Sequence, residues 1–252
     1  MAEIKLFGYT NKLSVKPGES IDFHVSADGT ESADAQLVRI THGDEHPNGP
    51  GYMDEEIDSD LNGKWNVKKQ FTQLGSYLRV NDPNNLLAID GDFTIFGYIN
   101  PSTPHTGAHQ WLFGRWDNKT NKGYGIGINK DGYLELVVGD GKEVDYLYSE
   151  LPLIKKVWYF VAATFNYKTG EATLYQEGVI NRYNSLLGKV VPYDYRSHTK
   201  TTFRFKQVND PQTPFIVAGA IDDHELRGKF VSGTYAGKID RHGVCNKVLS
   251  KE

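Results

Sequence analysis

Val157-Trp-Tyr-Phe-Val-Ala-Ala-Thr-Phe165, Asn166-Tyr-Lys-Thr-Gly170 and Glu171-Ala-Thr-Leu-Tyr-Gln-Glu-Gly178 form one continuous stretch whose reading decides the fold. Its first third is β-branched and aromatic with almost no charge, which suits a strand covered on both faces in the middle of a sheet. The second third is turn chemistry, with Gly170 able to take a positive φ. The last third alternates, placing Ala172 and Leu174 on one face and Thr173 and Tyr175 on the other. The stretch predicts a β-hairpin.

Outward from the hairpin, strand signals recur at short intervals: Ser76–Val80, Asp92–Ile99, Gln110–Trp116, Gly123–Ile128 and Tyr133–Val138 before it, and Thr201–Phe205, Phe215–Gly219 and Gly233–Ile239 after it. Turns such as Lys130-Asp-Gly132 and Gly139-Asp-Gly141 separate them. Regular spacing with no amphipathic helix between predicts an all-β protein, an antiparallel β-sandwich. Near the N-terminus, Glu3–Tyr9, Ser20–Ser26 and Ala35–Thr41 alternate apolar with polar residues and predict a short immunoglobulin-like set of strands. His42 to Asn62, rich in Gly, Pro and acids, reads as a long loop, and loops of that length usually carry function or an interface. The expected division is residues 1–62, N-terminal strands and loop, and residues 63–252, the sandwich.

Composition narrows the function classes. The 252 residues carry a net charge of −4 with no basic block, which disfavours nucleic acid and anionic membranes as partners. Met1-Ala-Glu-Ile-Lys-Leu6 has no apolar signal core, and no apolar run approaches membrane-spanning length. The single cysteine, Cys245, excludes a disulfide within the chain and fits a reducing compartment, so a cytoplasmic location is expected. Cys245 falls in an expected strand with no activating neighbours, which makes an inert buried thiol the expectation. Gly-x-Ser-x-Gly, His-Glu-x-x-His and phosphate-loop motifs are all missing from the sequence. Asn118-Lys-Thr120 matches a glycosylation sequon by composition only.

Two resemblances follow. Phe93 to Gly178, with Gly114-Arg-Trp116, Tyr124-Gly-Ile-Gly-Ile128 and Asp131-Gly132, resembles the laminin G-like or concanavalin-like jelly roll, a fold that hosts lectins, adhesion modules and enzyme appendages. Gly8-Tyr9, Pro17-Gly18-Glu19, His42-Gly43-Asp44, Gly49-Pro50-Gly51-Tyr52, Gly75-Ser76-Tyr77, Asn181-Arg182 and Asn184-Ser185 together resemble the N-terminal region of the large subunit of bacterial N,N-dimethylformamidase. That resemblance implies membership of a metal-dependent amidohydrolase family whose mononuclear iron is held by tyrosine and glutamate in a catalytic domain beyond this stretch. It implies a hydrolase-associated chain with no cofactor of its own and no catalytic residues.

Individual motifs carry weaker chemistry. His42-Gly-Asp-Glu-His46 gathers imidazoles and carboxylates that suit a transition metal, or equally a loop held by hydrogen bonds from His42 and Asp44. Asp58-Ser-Asp-Leu-Asn-Gly63 opens like a calcium loop, with Asp58, Asp60 and Asn62 at ligand positions, but the twelfth position is Lys69; a turn before a strand at Trp65 is the other reading. Trp111, Trp116, Tyr124 and Tyr133, with Tyr146 and Tyr148, are the rings on which a glycan would stack, although alternation places about half of them in the core. Asn181, Arg182 and Asn184 suit either a hydrogen-bonded loop or contact with another domain.

The expected function is a non-catalytic β-sandwich module that docks to a catalytic amidohydrolase domain or subunit, with His42, Asp44, Tyr52, Asn181, Arg182 and Asn184 as candidate docking residues. The alternative is a free-standing, carbohydrate-binding, lectin-like module. An autonomous hydrolase using an unrecognised acid pair is a third.

Overall fold

The computed structural model describes residues 5–179, 196–204, 208, 210–225 and 227–250. Its regular elements are all strands, and they fall into two compact units, residues 1–72 and 73–252.

The N-terminal unit holds three antiparallel pairs: β1 (Lys5–Thr10) with β2 (Phe23–Asp28), β3 (Ser32–Ala35) with β6 (Gly63–Asn66), and β4 (Val38–His42) with β5 (Met53–Glu56). Two expectations change here. The single strand expected over Ala35–Thr41 is interrupted at Gln36 and Leu37, so its two ends pair with different partners. The expected loop from His42 to Asn62 contains β5, which returns along β4 across the Gly- and Pro-rich tip. Asp58 to Gly63 is a turn leading into β6, which carries Trp65.

The second unit is an all-β antiparallel sandwich. One sheet of five strands runs β15 (His198–Thr202), β14 (Glu171–Gly178), β13 (Tyr159–Asn166), β8 (Phe93–Pro101) and β19 (Gly237–Cys245). The other, of eight, runs β12 (Val144–Pro152), β11 (Tyr133–Asp140), β10 (Lys122–Ile128), β9 (Gln110–Asp117), β16 (Ile216–Val217) and β7 (Leu78–Arg79), with β17 (Ala220–His224) and β18 (Gly228–Ser232) joining beside β9. The hairpin that opened the sequence reading is β13–β14, in register from Tyr159–Gly178 to Asn166–Glu171, and Gly170 has φ 76° at its turn. β13 is the middle strand of its sheet, as its uncharged composition requires.

The core lies between the sheets. Phe93, Ile95 and Ile99 from β8 and Val161, Ala163 and Phe165 from β13 meet Tyr124, Ile126 and Ile128 from β10 and Leu134, Leu136 and Val138 from β11. The period of two that places these residues inside places Gly123, Gly125 and Gly127 of β10 and Glu135 and Val137 of β11 on the outer face of the eight-stranded sheet. That outer face carries the site. Cys245 closes β19 half-buried, with its thiol facing the Lys247 carbonyl, rather than sunk in the core as its strand position suggested.

Candidate functional site

A strand's alternation should put residues five apart on opposite faces, yet Trp111 and Trp116 share one. The register between β9 and β10 shifts at Ile126/Gly127, so that Phe113 lies opposite Ile126 and Trp111 opposite Gly127 with Leu112 as the extra residue. This β-bulge turns Leu112 and Phe113 both toward the core and brings Trp111 back to the outer face with Trp116. The two indoles stack with centroids 5.5 Å apart and planes at 29°.

Glycines let the rings lie close to the sheet. A Cβ on Gly125 would stand 3.0 Å from the Trp111 ring, and one on Gly139 would stand 2.8 Å from that of Trp116. Gly127 clears a path of another kind. Its missing side chain leaves room for His109, whose Nε2–H donates to Oε1 of Glu135 on the neighbouring strand. Glu135 is 2% exposed, and the His109 side chain is about one-third exposed and packs edge-on against Trp111 with centroids 4.5 Å apart.

These groups line an open cleft of about 400 Å³ together with Asn118, Asn121, Val137, Tyr146, Ser232 and Gly233. The rim's polar atoms are bonded to one another. Trp116 Nε1–H donates to Asn118 Oδ1 at 2.9 Å, Asn118 Nδ2 donates to Ser232 Oγ at 3.0 Å, and the Ser232 hydroxyl donates to Asp222 at 3.0 Å. Beside the cavity Tyr146 and Tyr148 stand parallel, 6.0 Å apart, and half exposed. Burial first and the charge of Glu135 second hold both phenols above their ordinary pKa.

Of the four rings nominated for stacking, Trp111 and Trp116 line this cleft but are themselves buried, 5% and 3% exposed, and Tyr133 is half-buried at the start of β11. Tyr124 does not qualify: it is 1% exposed in the core, packs on Phe93, and donates its hydroxyl to the Leu87 carbonyl. His109 and Glu135 were missed because they lie 26 residues apart and neither falls in a motif. The glycines of Gly123-Tyr-Gly-Ile-Gly-Ile128 were the available signal, since small residues at every second position clear one face of a sheet.

Three of the metal candidates of the N-terminal unit, His42, His46 and Asn62, make hydrogen bonds within their loops. His42 Nδ1 lies 2.9 Å from the Gly51 carbonyl, Asp44 accepts from the His46 backbone N–H, and His46 Nδ1 accepts from that of Asn48. Asn62 accepts from Leu37 N–H and donates to the Ile57 carbonyl and to Glu56. Among the described residues no three His, Cys, Asp or Glu side chains gather to hold a metal. Tyr52 is exposed beside β5. Asn181, Arg182 and Asn184 lie outside the described residues.

Residues 72–226 match the family model described as the Concanavalin A-like lectin/glucanases superfamily. The full chain is 37% identical to the N,N-dimethylformamidase beta subunit of Paracoccus aminophilus and 36% identical to that of Alcaligenes sp, and it spans 33% of the length of each. The LG1-3 region of the laminin alpha2 chain shares 14% identity, with a TM-score of 0.44 over 70% of this chain and 31% of that one.

Proposed function

The chain belongs to the concanavalin A-like lectin/glucanases superfamily, and from that premise and its similarity to two dimethylformamidase beta subunits we infer that it is a non-catalytic β-sandwich module that docks to a catalytic amidohydrolase domain or subunit. The iron of that family would then be held elsewhere than in these residues.

The observation that carries this reading is the N-terminal unit. Among its described residues only Ala27 is buried, while Leu6, Phe7, Tyr9, Phe23, Ile40 and Trp65 are all exposed. Two-stranded pairs are marginal in water without a covered apolar face. Exposed aromatic and aliphatic side chains in such number mark an interaction surface. Tyr52 and Met53, at the start of β5 in the stretch singled out from sequence, are exposed as well.

The test supplies the catalytic region of a dimethylformamidase beta subunit as a separate polypeptide and measures co-elution with this chain. Phe7→Ser combined with Trp65→Ser is expected to weaken the complex at least about tenfold, the loss typical of removing central aromatic anchors. Co-elution unchanged by the double substitution would reject the N-terminal unit as the docking surface.

A second reading, glycan binding, is favoured by the parallel, exposed Tyr146 and Tyr148 rings, a platform suited to a sugar face. Tyr148→Ala should then abolish retention on an immobilised glycan that retains the unmodified chain. A glycan panel that retains neither form eliminates the reading.

A further inference from the structure

We propose that the cleft on the outer face of the eight-stranded sheet binds a small organic cation of the methylated ammonium class. Three features of the cleft converge on positive charge. Its lining includes the buried rings of Trp111 and Trp116, 5% and 3% exposed, and the half-exposed ring of Tyr146, and aromatic faces attract cations through their quadrupole, most strongly where water is excluded. Its one anionic group is Glu135, a carboxylate withdrawn from solvent, which is costly unless positive charge or hydrogen bonds compensate it. Neither lysine nor arginine is among the described residues lining it, and His109 is the one described lining residue able to carry positive charge toward Glu135. His109 bonds one oxygen, Oε1, and a carboxylate has about four acceptor sites in all.

The polar groups distinguish this ligand from a neutral sugar. A polyol needs free donors and acceptors directed at its hydroxyls. Here the Trp116 indole N–H, the Asn118 amide and the Ser232 hydroxyl form a closed chain that ends on Asp222. The rest of the lining is Asn121, Val137, the aromatic rings, the Gly233 backbone and the His109–Glu135 pair. A methylated ammonium carries its charge on a weakly hydrated, apolar surface, so little solvation is lost on entry. At about 400 Å³ the cavity admits such an ion with several attached carbons.

Titration of the chain with tetramethylammonium, followed by tryptophan fluorescence, is expected to saturate, whereas tert-butanol, an uncharged molecule of similar shape, is expected to bind at least about tenfold more weakly, a difference of about 1.4 kcal/mol. Trimethylammonium and dimethylammonium should compete with tetramethylammonium for the same site. Glu135→Gln keeps the shape and the hydrogen bond from His109 while removing the charge, and should weaken tetramethylammonium at least about tenfold. Equal affinity for tert-butanol, wild-type affinity in the Glu135→Gln chain, or saturation by a monosaccharide but not by the cation would each overturn the proposal. The comparison of cation with alcohol uses the unmodified chain and stands even if the variant does not fold.

Discussion

Arg115→Ala is expected to destabilise the sandwich unit by about 3–5 kcal/mol, the loss typical of removing one partner from a buried ionic network. Arg115 sits on β9 with a side chain 6% exposed, and its guanidinium is shared three ways. Its Nε donates to Asp210 Oδ1 at 2.7 Å, one terminal nitrogen donates to Asn85 Oδ1 at 2.7 Å and also reaches Asp210, and the other lies 3.8 Å from Asp82. Asp82 in turn accepts from the backbone N–H groups of Leu86 and Leu87 at 2.9 and 2.7 Å. The guanidinium therefore clamps the segment from Asp82 to Leu87 and the Asp210 segment against one strand. Alanine would leave two partly buried carboxylates without their cation, and that penalty exceeds the loss of the attraction itself. For a unit of this size the midpoint of thermal unfolding should fall by about 6–20 °C. Arg115→Lys retains the charge but not the planar fork, and should recover only part of the loss. A melting temperature within about 2 °C of the unmodified chain for Arg115→Ala would show that the clamp contributes nothing to stability.

Phe93→Ala is expected to cost a comparable amount, about 3–5 kcal/mol, by a different route. Phe93 is 0% exposed at the start of β8, the strand between β13 and β19. Its ring centroid lies 4.7 Å from that of Tyr124 on the opposite sheet and 5.6 Å from that of Phe165 on its own, so it joins the two layers at one point. Truncation removes the transfer free energy of the ring and leaves a cavity that the surrounding strands, tied by their ladders, cannot collapse to fill. Phe93→Leu restores most of the volume and should cost less. Urea denaturation with unchanged slope and a lower midpoint is the expected signature; a midpoint unchanged in Phe93→Ala would contradict the placement of this ring in the core.

Both residues show where sequence reasoning reached its limit. Phe93 was legible as part of an apolar strand, because alternation alone places Phe93, Ile95, Gly97 and Ile99 on one side. Arg115 was legible only as a member of Gly114-Arg-Trp116. Its partners lie 30 and 95 residues away, and local pattern carries no information about contacts at such separations. The N-terminal unit was read as strands, and it is strands, but propensity does not say which strand pairs with which. β3 finds β6 across the whole β4–β5 pair, which only the assembled ladders reveal.

The all-β class, the central hairpin and the sandwich follow from the sequence by itself, because period-two alternation and turn residues are local properties that burial on one face enforces along each strand. The cleft was decided by tertiary structure. Trp111 and Trp116, five residues apart, belong by alternation on opposite faces, and one extra residue at the β-bulge puts them on the same one. The bulge arises from the pairing of β9 with β10, and the meeting of His109 with Glu135 over Gly127 from the stacking of β9, β10 and β11. Register between strands is a property of the pair, set by long-range packing of the core, and no single strand's sequence contains it.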